Sequence, residues 1–364
     1  MLYNWLYPFR DQWFVFNLFR YITFRAAGAM VTALLISVIL GPFLIKYLKK
    51  FEFEEKIRKG DVFPLYELHK GKEGTPTMGG LLILTAIVIS SFLWANFDTR
   101  SIGLVLFSTV SLGIIGFIDD YLKVRKLSAG LGAAAKFIGQ FILGLLIGIY
   151  LFKFPLIAQY ASKLNIPFFK DLWVQLGVFY ILFVALVIVS TSNAVNLTDG
   201  LDGLAIGCII IAALAFTGIA YVCGNFRFAD YLNIAYVPGA GELAVFCASL
   251  IGAGLGFLWY NCHPAQVFMG DTGSLALGGA LGTVAVIIKQ ELVLIIVGGI
   301  FILEAFSVIL QVIYFRFTKK RLFLIAPLHH HFEAQGWPES KIIIRFWILA
   351  AIFALLSLST LKIR

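Results

Sequence analysis

The chain has 364 residues, of which 60% are hydrophobic and only 13% are charged. A soluble domain is nearer half apolar and a quarter charged, so this composition excludes an ordinary soluble protein and indicates a bundle of membrane helices. Lys and Arg exceed Asp and Glu by 29 to 20. In a membrane chain this excess indicates orientation and contact with anionic headgroups, and we expect no nucleic acid partner.

The N-terminal segment mixes aromatic residues with Arg10 and Arg20 and has no short apolar core followed by a cleavage site. We interpret it as an interfacial segment that leads into the first span, not as a cleaved signal. The four cysteines form no Cys-x-x-Cys pair, so the sequence predicts neither a disulfide framework nor a zinc site.

Segments long enough to cross a bilayer recur along the whole chain, since a spanning helix needs about 20 apolar residues. Ten segments qualify, at about 24–45, 78–97, 101–118, 134–152, 173–191, 204–222, 243–260, 275–289, 292–315 and 342–361. Glu304 and Gln311 interrupt the ninth. The predicted fold is an all-α polytopic membrane helix bundle with ten transmembrane helices, forming one integral-membrane domain over residues 1–364.

Most Lys and Arg residues lie in the loops that follow odd-numbered spans. The positive-inside rule therefore predicts that these loops are cytoplasmic and that both termini lie on the outer, periplasmic side. The helix ends that face the cytoplasm are then bounded by loops at about 46–77, 119–133, 192–203, 261–274 and 316–341.

Five aspartates lie at these predicted cytoplasmic helix ends: Asp119, Asp120, Asp199, Asp202 and Asp271. Ionisable groups at membrane depth are costly and usually functional. Adjacent carboxylates repel unless a cation lies between them, and Mg²⁺ favours a few carboxylates together with phosphates and waters. We therefore predict that Asp119, Asp120 and Asp271 hold Mg²⁺. The alternative is that the adjacent pair only marks the membrane–water boundary.

Several of these residues have a second interpretation. Asp271 precedes the eighth span and is equally explained as the N-cap of that helix, although a helix N-terminus also attracts phosphate. Asn193, Asn196, Asp199 and Asp202 follow at intervals of three, and glycines within the run favour a turn. Turn and cap chemistry is the alternative to ligand binding for this run, most of all for Asp202.

The last predicted cytoplasmic loop contains three consecutive histidines, His329, His330 and His331. Three consecutive side chains cannot all face one metal, so we predict contact with phosphate or with a leaving group, against the alternative of a solvent-exposed run. Lys123, one turn after Asp119, suits a phosphate group.

Two further segments contain polar residues whose roles the sequence does not decide. In the first predicted cytoplasmic loop, Lys and Thr beside glycines suit phosphate contact, although basic residues there also serve topology. Inside the ninth span, Glu304 and Gln311 either line a cavity or bond a neighbouring helix.

These motifs resemble the bacterial phospho-N-acetylmuramoyl-pentapeptide transferases, within the superfamily of polyprenyl-phosphate N-acetylhexosamine-1-phosphate transferases. The resemblance extends from about Tyr21 to the C-terminus. It is carried by Thr75–Gly80, Asp119–Tyr121, Asn193–Gly203, Pro264–Asp271 and Pro327–Glu333, of which the histidine stretch is the most specific.

The resemblance implies transfer of phospho-MurNAc-pentapeptide from UDP-MurNAc-pentapeptide to undecaprenyl phosphate, with Mg²⁺, giving lipid I and UMP in the bacterial inner membrane. Asp119, Asp120, Asp271 and His330 would be catalytic, and the three aspartates would also serve the metal. Substrate would be bound by Lys72, Thr77, Lys123, Lys136, Asn193, Asn196, Asp199, Asp202, Phe268, Gln311, His329 and His331. Phe268 would stack on the uracil ring.

Two other functions compete with this interpretation. A sister enzyme of the superfamily would move GlcNAc-1-phosphate onto the same lipid and would share the aspartates. An ion-coupled transporter would place its carboxylates near the bilayer midplane and often shows repeats, but only Glu304 is deep and no repeat is visible. A homodimer is compatible with the sequence, which does not determine the oligomeric state.

Overall fold

The computed structural model describes residues 1–51, 74–125, 130–169 and 172–362. Its α-helices, in chain order, are α1 (Leu2–Leu6), α2 (Ile22–Lys50), α3 (Gly80–Trp94), α4 (Arg100–Val124), α5 (Ala133–Lys153), α6 (Phe179–Thr198), α7 (Leu204–Cys223), α8 (Phe226–Leu232), α9 (Gly241–Asn261), α10 (Gly270–Ile287), α11 (Glu291–Val297), α12 (Gly299–Thr318), α13 (Leu328–Ala334) and α14 (Glu339–Thr360). Strands β1 (Lys163–Asn165) and β2 (Trp173–Gln175) pair antiparallel, with Leu164 opposite Val174.

The architecture is the predicted all-α bundle of a multi-pass membrane protein. Among the described residues, nine helices are long and apolar enough to cross a membrane: α2, α4, α5, α6, α7, α9, α10, α12 and α14. Helix α3 occupies the second predicted span but has only 15 residues. It therefore reaches about 22 Å, less than the roughly 30 Å of the hydrocarbon layer. The count of ten spans and the side on which the termini lie stay predictions.

The ninth predicted span is not one helix. The chain breaks at Gly298 into the seven-residue α11 and the longer α12. The prediction of a continuous span over 292–315 is therefore wrong. A broken helix is tolerated in a membrane where other parts of the protein cover the freed backbone groups, and the backbone N–H of Gly298 here donates to the Leu294 carbonyl at 2.7 Å.

Helices α9 and α10 form the centre of the bundle, since they are the most buried of the spanning helices described. Glycines allow their neighbours to approach closely, which is the usual basis of helix packing in membranes. A Cβ on Gly252 of α9 would lie 1.9 Å from the Met30 carbonyl oxygen, and one on Gly116 of α4 would lie 2.2 Å from that of Asp271. The N-terminal end of α10 is thus packed directly against α4.

An unusual lysine, Lys289, lies two residues beyond the opposite end of α10. Lys289 is buried, donates a hydrogen bond to the Ala161 carbonyl at 3.1 Å and lies 3.9 Å from the centroid of the Tyr180 ring. Burial lowers its pKa from the ordinary value of 10.5 to about 8. Because Ala161 directly precedes the β1–β2 hairpin, Lys289 fastens this hairpin to the bundle.

Candidate active site

Three aspartates meet where α4 ends and α10 begins. Asp119 and Asp120 lie in the last turns of α4, and Asp271 lies in the first turn of α10. Each offers a carboxylate oxygen, and these oxygens all lie within 4.8 Å of one another. The structure thus brings together the three residues that the sequence predicted as a group, although Asp271 is 151 residues from Asp120 in the chain.

The three carboxylates do not have the same surroundings. Asp120 is buried and accepts hydrogen bonds from the backbone N–H groups of Asp271 at 3.1 Å and Thr272 at 2.9 Å, and from the Thr272 hydroxyl at 2.7 Å. It therefore caps α10 from a neighbouring helix, which stabilises the N-terminal end of that helix. Asp271 does not cap its own helix, because the carboxylate that binds the N–H groups in the first turn of α10 is that of Asp120 on α4.

Two lysines face the remaining carboxylates. Lys136 lies on α5, and its Nζ lies 2.5 Å from Asp271 Oδ2 and 3.7 Å from Asp119 Oδ2. Lys123 Nζ lies 2.9 Å from Asp271 Oδ2 and 2.5 Å from Asp119 Oδ2. The Leu131 backbone N–H also donates to Asp119 Oδ1 at 2.6 Å. Asp119 and Asp271 therefore share two ammonium groups, at positions where carboxylate oxygens could instead share a metal ion.

Helix α6 contributes two amides to the same place. Asn196 donates through Nδ2 to Asp271 Oδ1 at 2.6 Å and to Ser274 Oγ at 2.8 Å. Asn193, one turn earlier, donates to Gln140 Oε1 at 2.6 Å. Asn196 thus contacts the aspartate cluster directly, whereas Asn193 lies one turn further along α6 against Gln140.

A short stretch before α3 pairs with the stretch before α10. The N–H of Phe268 donates to the Pro76 carbonyl and that of Gly79 to the Phe268 carbonyl, each at 2.8 Å. Thr77 is buried here, and a Cβ on Gly270 would lie 3.0 Å from its hydroxyl. Phe268 is half-buried, next to this pairing. Thr77 and Phe268 thus adjoin the aspartate cluster, whereas Lys72 lies outside the described residues.

Asp202 belongs to a second group of polar side chains. Its Oδ2 accepts from the Ala265 N–H at 3.1 Å and lies 3.2 Å from His263 Nδ1, which in turn lies 3.4 Å from a Glu339 oxygen. The Asp202 N–H donates to Glu339 at 2.8 Å. Asp202 therefore ties three segments together, while Asp199 lies at the C-cap of α6.

The three histidines lie on α13 and have different surroundings. His329 is fully buried, with Nδ1 3.2 Å from Glu304 Oε1. His330 Nδ1 lies 3.0 Å from Glu333 Oε2, and His331 Nδ1 accepts from the Leu324 N–H at 3.2 Å. A solvent-exposed run is thus not what the structure shows. The predicted roles of the histidines toward substrate stay predictions.

Glu304 and Gln311 of α12 both support the chain around the histidines. Glu304 is fully buried and accepts from the N–H groups of Leu328 at 2.7 Å and His329 at 3.3 Å, so it caps α13. Gln311 accepts from the N–H of Phe323 at 2.9 Å. Glu304 thus bonds a neighbouring helix, one of the two alternatives left open by the sequence, while the predicted contact of Gln311 with substrate stays a prediction.

The aspartate and histidine groups are connected through the end of α6. Asn196 bonds Asp271, and four residues later Gly200 packs against His329, since a Cβ on Gly200 would lie 2.2 Å from His329 Nε2. Only a residue without a side chain leaves room for this imidazole. The residues that sequence reasoning missed are Gln140, His263, Thr272, Ser274 and Glu339. For Gln140 a signal existed, because it follows Lys136 by four residues and so shares its face of α5.

Comparison with known proteins identifies the class to which the chain belongs. Residues 101–289, which contain all three aspartates, match the family model for glycosyl transferase family 4. With the buried helices and the carboxylate–lysine cluster, this match defines the chain as a membrane phosphoglycosyl transferase, an enzyme.

More specific matches narrow this class. Residues 72–84 match signature 1 of the phospho-N-acetylmuramoyl-pentapeptide-transferases. The chain is 51% identical to the protein of that name from Citrifermentans bemidjiense, 54% to that from Nitratidesulfovibrio vulgaris and 50% to that from Endomicrobium trichonymphae, over 100% of both chains in each case. The chain belongs to the phospho-N-acetylmuramoyl-pentapeptide-transferase family.

Proposed function

We propose that the protein transfers phospho-MurNAc-pentapeptide from UDP-MurNAc-pentapeptide to undecaprenyl phosphate, with Mg²⁺ as cofactor, at the cytoplasmic face of the bacterial inner membrane. The products are lipid I and UMP, as in the first membrane step of peptidoglycan synthesis. The observation that carries the proposal is the meeting of three aspartates and two lysines at one end of a membrane bundle. It suits a reaction between a lipid phosphate and a nucleotide sugar.

The residues at this site fit Mg²⁺. The available donors are carboxylate oxygens, which are the hard ligands that this cation prefers, and few are needed because phosphates and waters complete its shell. Asp119 and Asp271 would hold the ion, since both face cations already. Asp120 would hold the first turn of α10, and with it Asp271, in position, because its oxygens cap α10. A bound Mg²⁺ would stabilise the charge that develops on the transferred phosphate.

The reaction forms one phosphoanhydride bond as another breaks, so positioning and charge neutralisation carry most of the catalysis. A lipid phosphate oxygen attacks the sugar-bearing phosphorus, and the bond to UMP breaks. Lys123 and Lys136 reach the same carboxylate oxygen of Asp271 and could turn to the phosphates of the two anionic substrates. We favour this direct attack over a phosphorylated aspartate, and trapping such an intermediate from nucleotide sugar alone would refute it.

The proposed function is tested with the purified full-length protein in detergent, given undecaprenyl phosphate and one nucleotide sugar. UMP release and lipid I formation are measured with UDP-MurNAc-pentapeptide or with UDP-GlcNAc, each with Mg²⁺ and with excess chelator. We expect product only from the first sugar and only with the metal. Product from UDP-GlcNAc instead would establish the sister activity, and no UMP from either sugar would refute the proposal.

A further inference from the structure

The amides of Asn193 and Asn196 have only one orientation that satisfies their neighbours. Asn193 faces the Val189 carbonyl oxygen at 2.8 Å, and a carbonyl oxygen can only accept, so the facing atom is Nδ2. Ser274 uses its single proton on the Gly270 carbonyl, so its oxygen must accept from Asn196. The hydrogen-bond partners of each amide therefore determine which of its two terminal atoms is the nitrogen and which is the oxygen.

Both protons of each amide are already used inside the protein. Asn193 Nδ2 donates to Val189 and Gln140, and Asn196 Nδ2 donates to Asp271 and Ser274. A carboxamide has two donor protons, so only the Oδ1 atoms remain for a bound molecule. Both asparagines are half-buried, which leaves them within reach of one. One hydrogen-bond acceptor, on Asn196, thus lies beside the carboxylate cluster, and a second, on Asn193, lies one turn away along α6.

Gln140 binds the second amide proton of Asn193, the proton that the Val189 carbonyl does not use. Its side chain is fully buried on α5, and its Oε1 accepts from Asn193 at 2.6 Å. Its Nε2 has no hydrogen-bond partner in the part of the chain that the structure describes. A buried amide N–H group without a hydrogen-bond partner destabilises the folded protein, so Gln140 at this position calls for an explanation other than stability.

We infer that Gln140 is a positioning residue that holds Asn193 as a hydrogen-bond acceptor, so that Asn193 and Asn196 recognise donor groups of the nucleotide sugar, its hydroxyl and amide N–H groups, and not its phosphate oxygens. This inference rests on the proposed function and deepens it. The lysines at the same site supply the donors that phosphate requires, so the two kinds of side chain recognise different parts of one substrate.

Two substitutions of Asn193 distinguish whether its side chain accepts a hydrogen bond from the substrate or donates one to it. In Asn193→Asp the acceptor oxygens are kept, and Gln140 can turn its unpaired Nε2 toward the new carboxylate. We expect this variant to keep at least ten times more kcat/KM for UDP-MurNAc-pentapeptide than Asn193→Ala. If Asn193 instead donates to phosphate, the carboxylate repels the substrate and Asn193→Asp is the worse of the two, which would overturn the inference.

The role of Gln140 is tested by a double-mutant cycle, because a positioning residue acts only through its partner. We expect Gln140→Met to lower kcat/KM about tenfold in the wild-type background and to have no further effect in Asn193→Ala. Penalties that multiply would refute the positioning role. Gln175→Met is the matched control, since Gln175 bonds Ser162 near the hairpin and should leave the rate unchanged.

A binding measurement, in addition to turnover, distinguishes a failure of the proposed function from a failure of the inference about Gln140 and the asparagines. Thermal stabilisation of each variant by UDP-MurNAc-pentapeptide gives an apparent Kd, for which we expect the same order: wild type tightest, Asn193→Asp next and Asn193→Ala weakest. Failure of the proposed function would appear as a wild type without transfer activity. Failure of the inference would appear as a reversed order of the two variants in an active or a binding-competent protein.

Discussion

Two groups of opposite charges, one at each end of the bundle, differ in how many cationic side chains face their carboxylates. Arg25 and Glu242 form a bidentate pair at 2.6 and 2.5 Å, and the Asn96 N–H also donates to Glu242. At the other end, among the described residues, the carboxylates of Asp119, Asp120 and Asp271 meet only two ammonium groups.

This difference separates a structural ion pair from a reactive cluster. A planar guanidinium that matches one carboxylate is rigid and complete, whereas a lysine is a point charge on a flexible chain that can be displaced. An excess of carboxylate over ammonium leaves negative charge that favours a further cation. The first group stabilises the bundle, and the second is suited to exchanging partners during a reaction.

The largest effect is expected at the reactive cluster. Asp271→Asn removes the charge that faces both lysines, and we expect kcat to fall by on the order of 1,000-fold because transition-state stabilisation is lost. The thermal unfolding temperature should change little, since Asp120 and not Asp271 caps α10. Asp98→Asn, at an exposed position of the opposite end, is the control. Near-normal turnover in Asp271→Asn would contradict the assignment.

At the Arg25–Glu242 pair we expect the opposite result, a loss of stability without a loss of activity. Arg25→Met leaves the buried Glu242 carboxylate without its partner and should lower the free energy of unfolding by about 3 kcal/mol. Thermal unfolding in detergent measures this loss, and the folded fraction should keep its kcat. Arg100→Met, at an exposed arginine, should change neither quantity. An unchanged unfolding temperature in Arg25→Met would show that the pair is not structural.

The connection between the aspartate and histidine groups is tested at Gly200. A Cβ there would lie 2.2 Å from His329 Nε2, so Gly200→Ala should displace α13 and lower kcat/KM about tenfold. Gly103→Ala in α4 meets open space and is the matched control. Equal activity of the two variants would show that the reaction does not depend on the position of α13.

Much of this arrangement follows from the sequence, but not all of it. Apolar length located the helices, and the convergence of Asp119, Asp120 and Asp271 followed from their positions at helix ends. The break at Gly298 did not, because Gly is common in spanning helices. The donor–acceptor partners of Asp120 and Glu304 could not be predicted either, since both cap helices that are distant in sequence.

The smallest effect concerns Lys289, far from the cluster. Its pKa in the folded protein, about 8, lies below the ordinary 10.5, so the unfolded chain binds more protons between these values. Stability should therefore rise as pH increases from about 8 to 10.5. Thermal unfolding over this pH range measures the rise, and Lys289→Met should reduce it. Unfolding temperatures of the two proteins that change in parallel would contradict the role of Lys289.

The central claim is that Asp119 and Asp271 hold a divalent cation that the Arg25–Glu242 pair cannot hold. Mn²⁺, used in place of Mg²⁺, can be titrated into the detergent-solubilised protein and followed by electron paramagnetic resonance. We predict one Mn²⁺ site in the wild type and in Arg25→Met, and binding at least tenfold weaker in Asp271→Asn. Equal Mn²⁺ affinity in Asp271→Asn and the wild type would contradict the account.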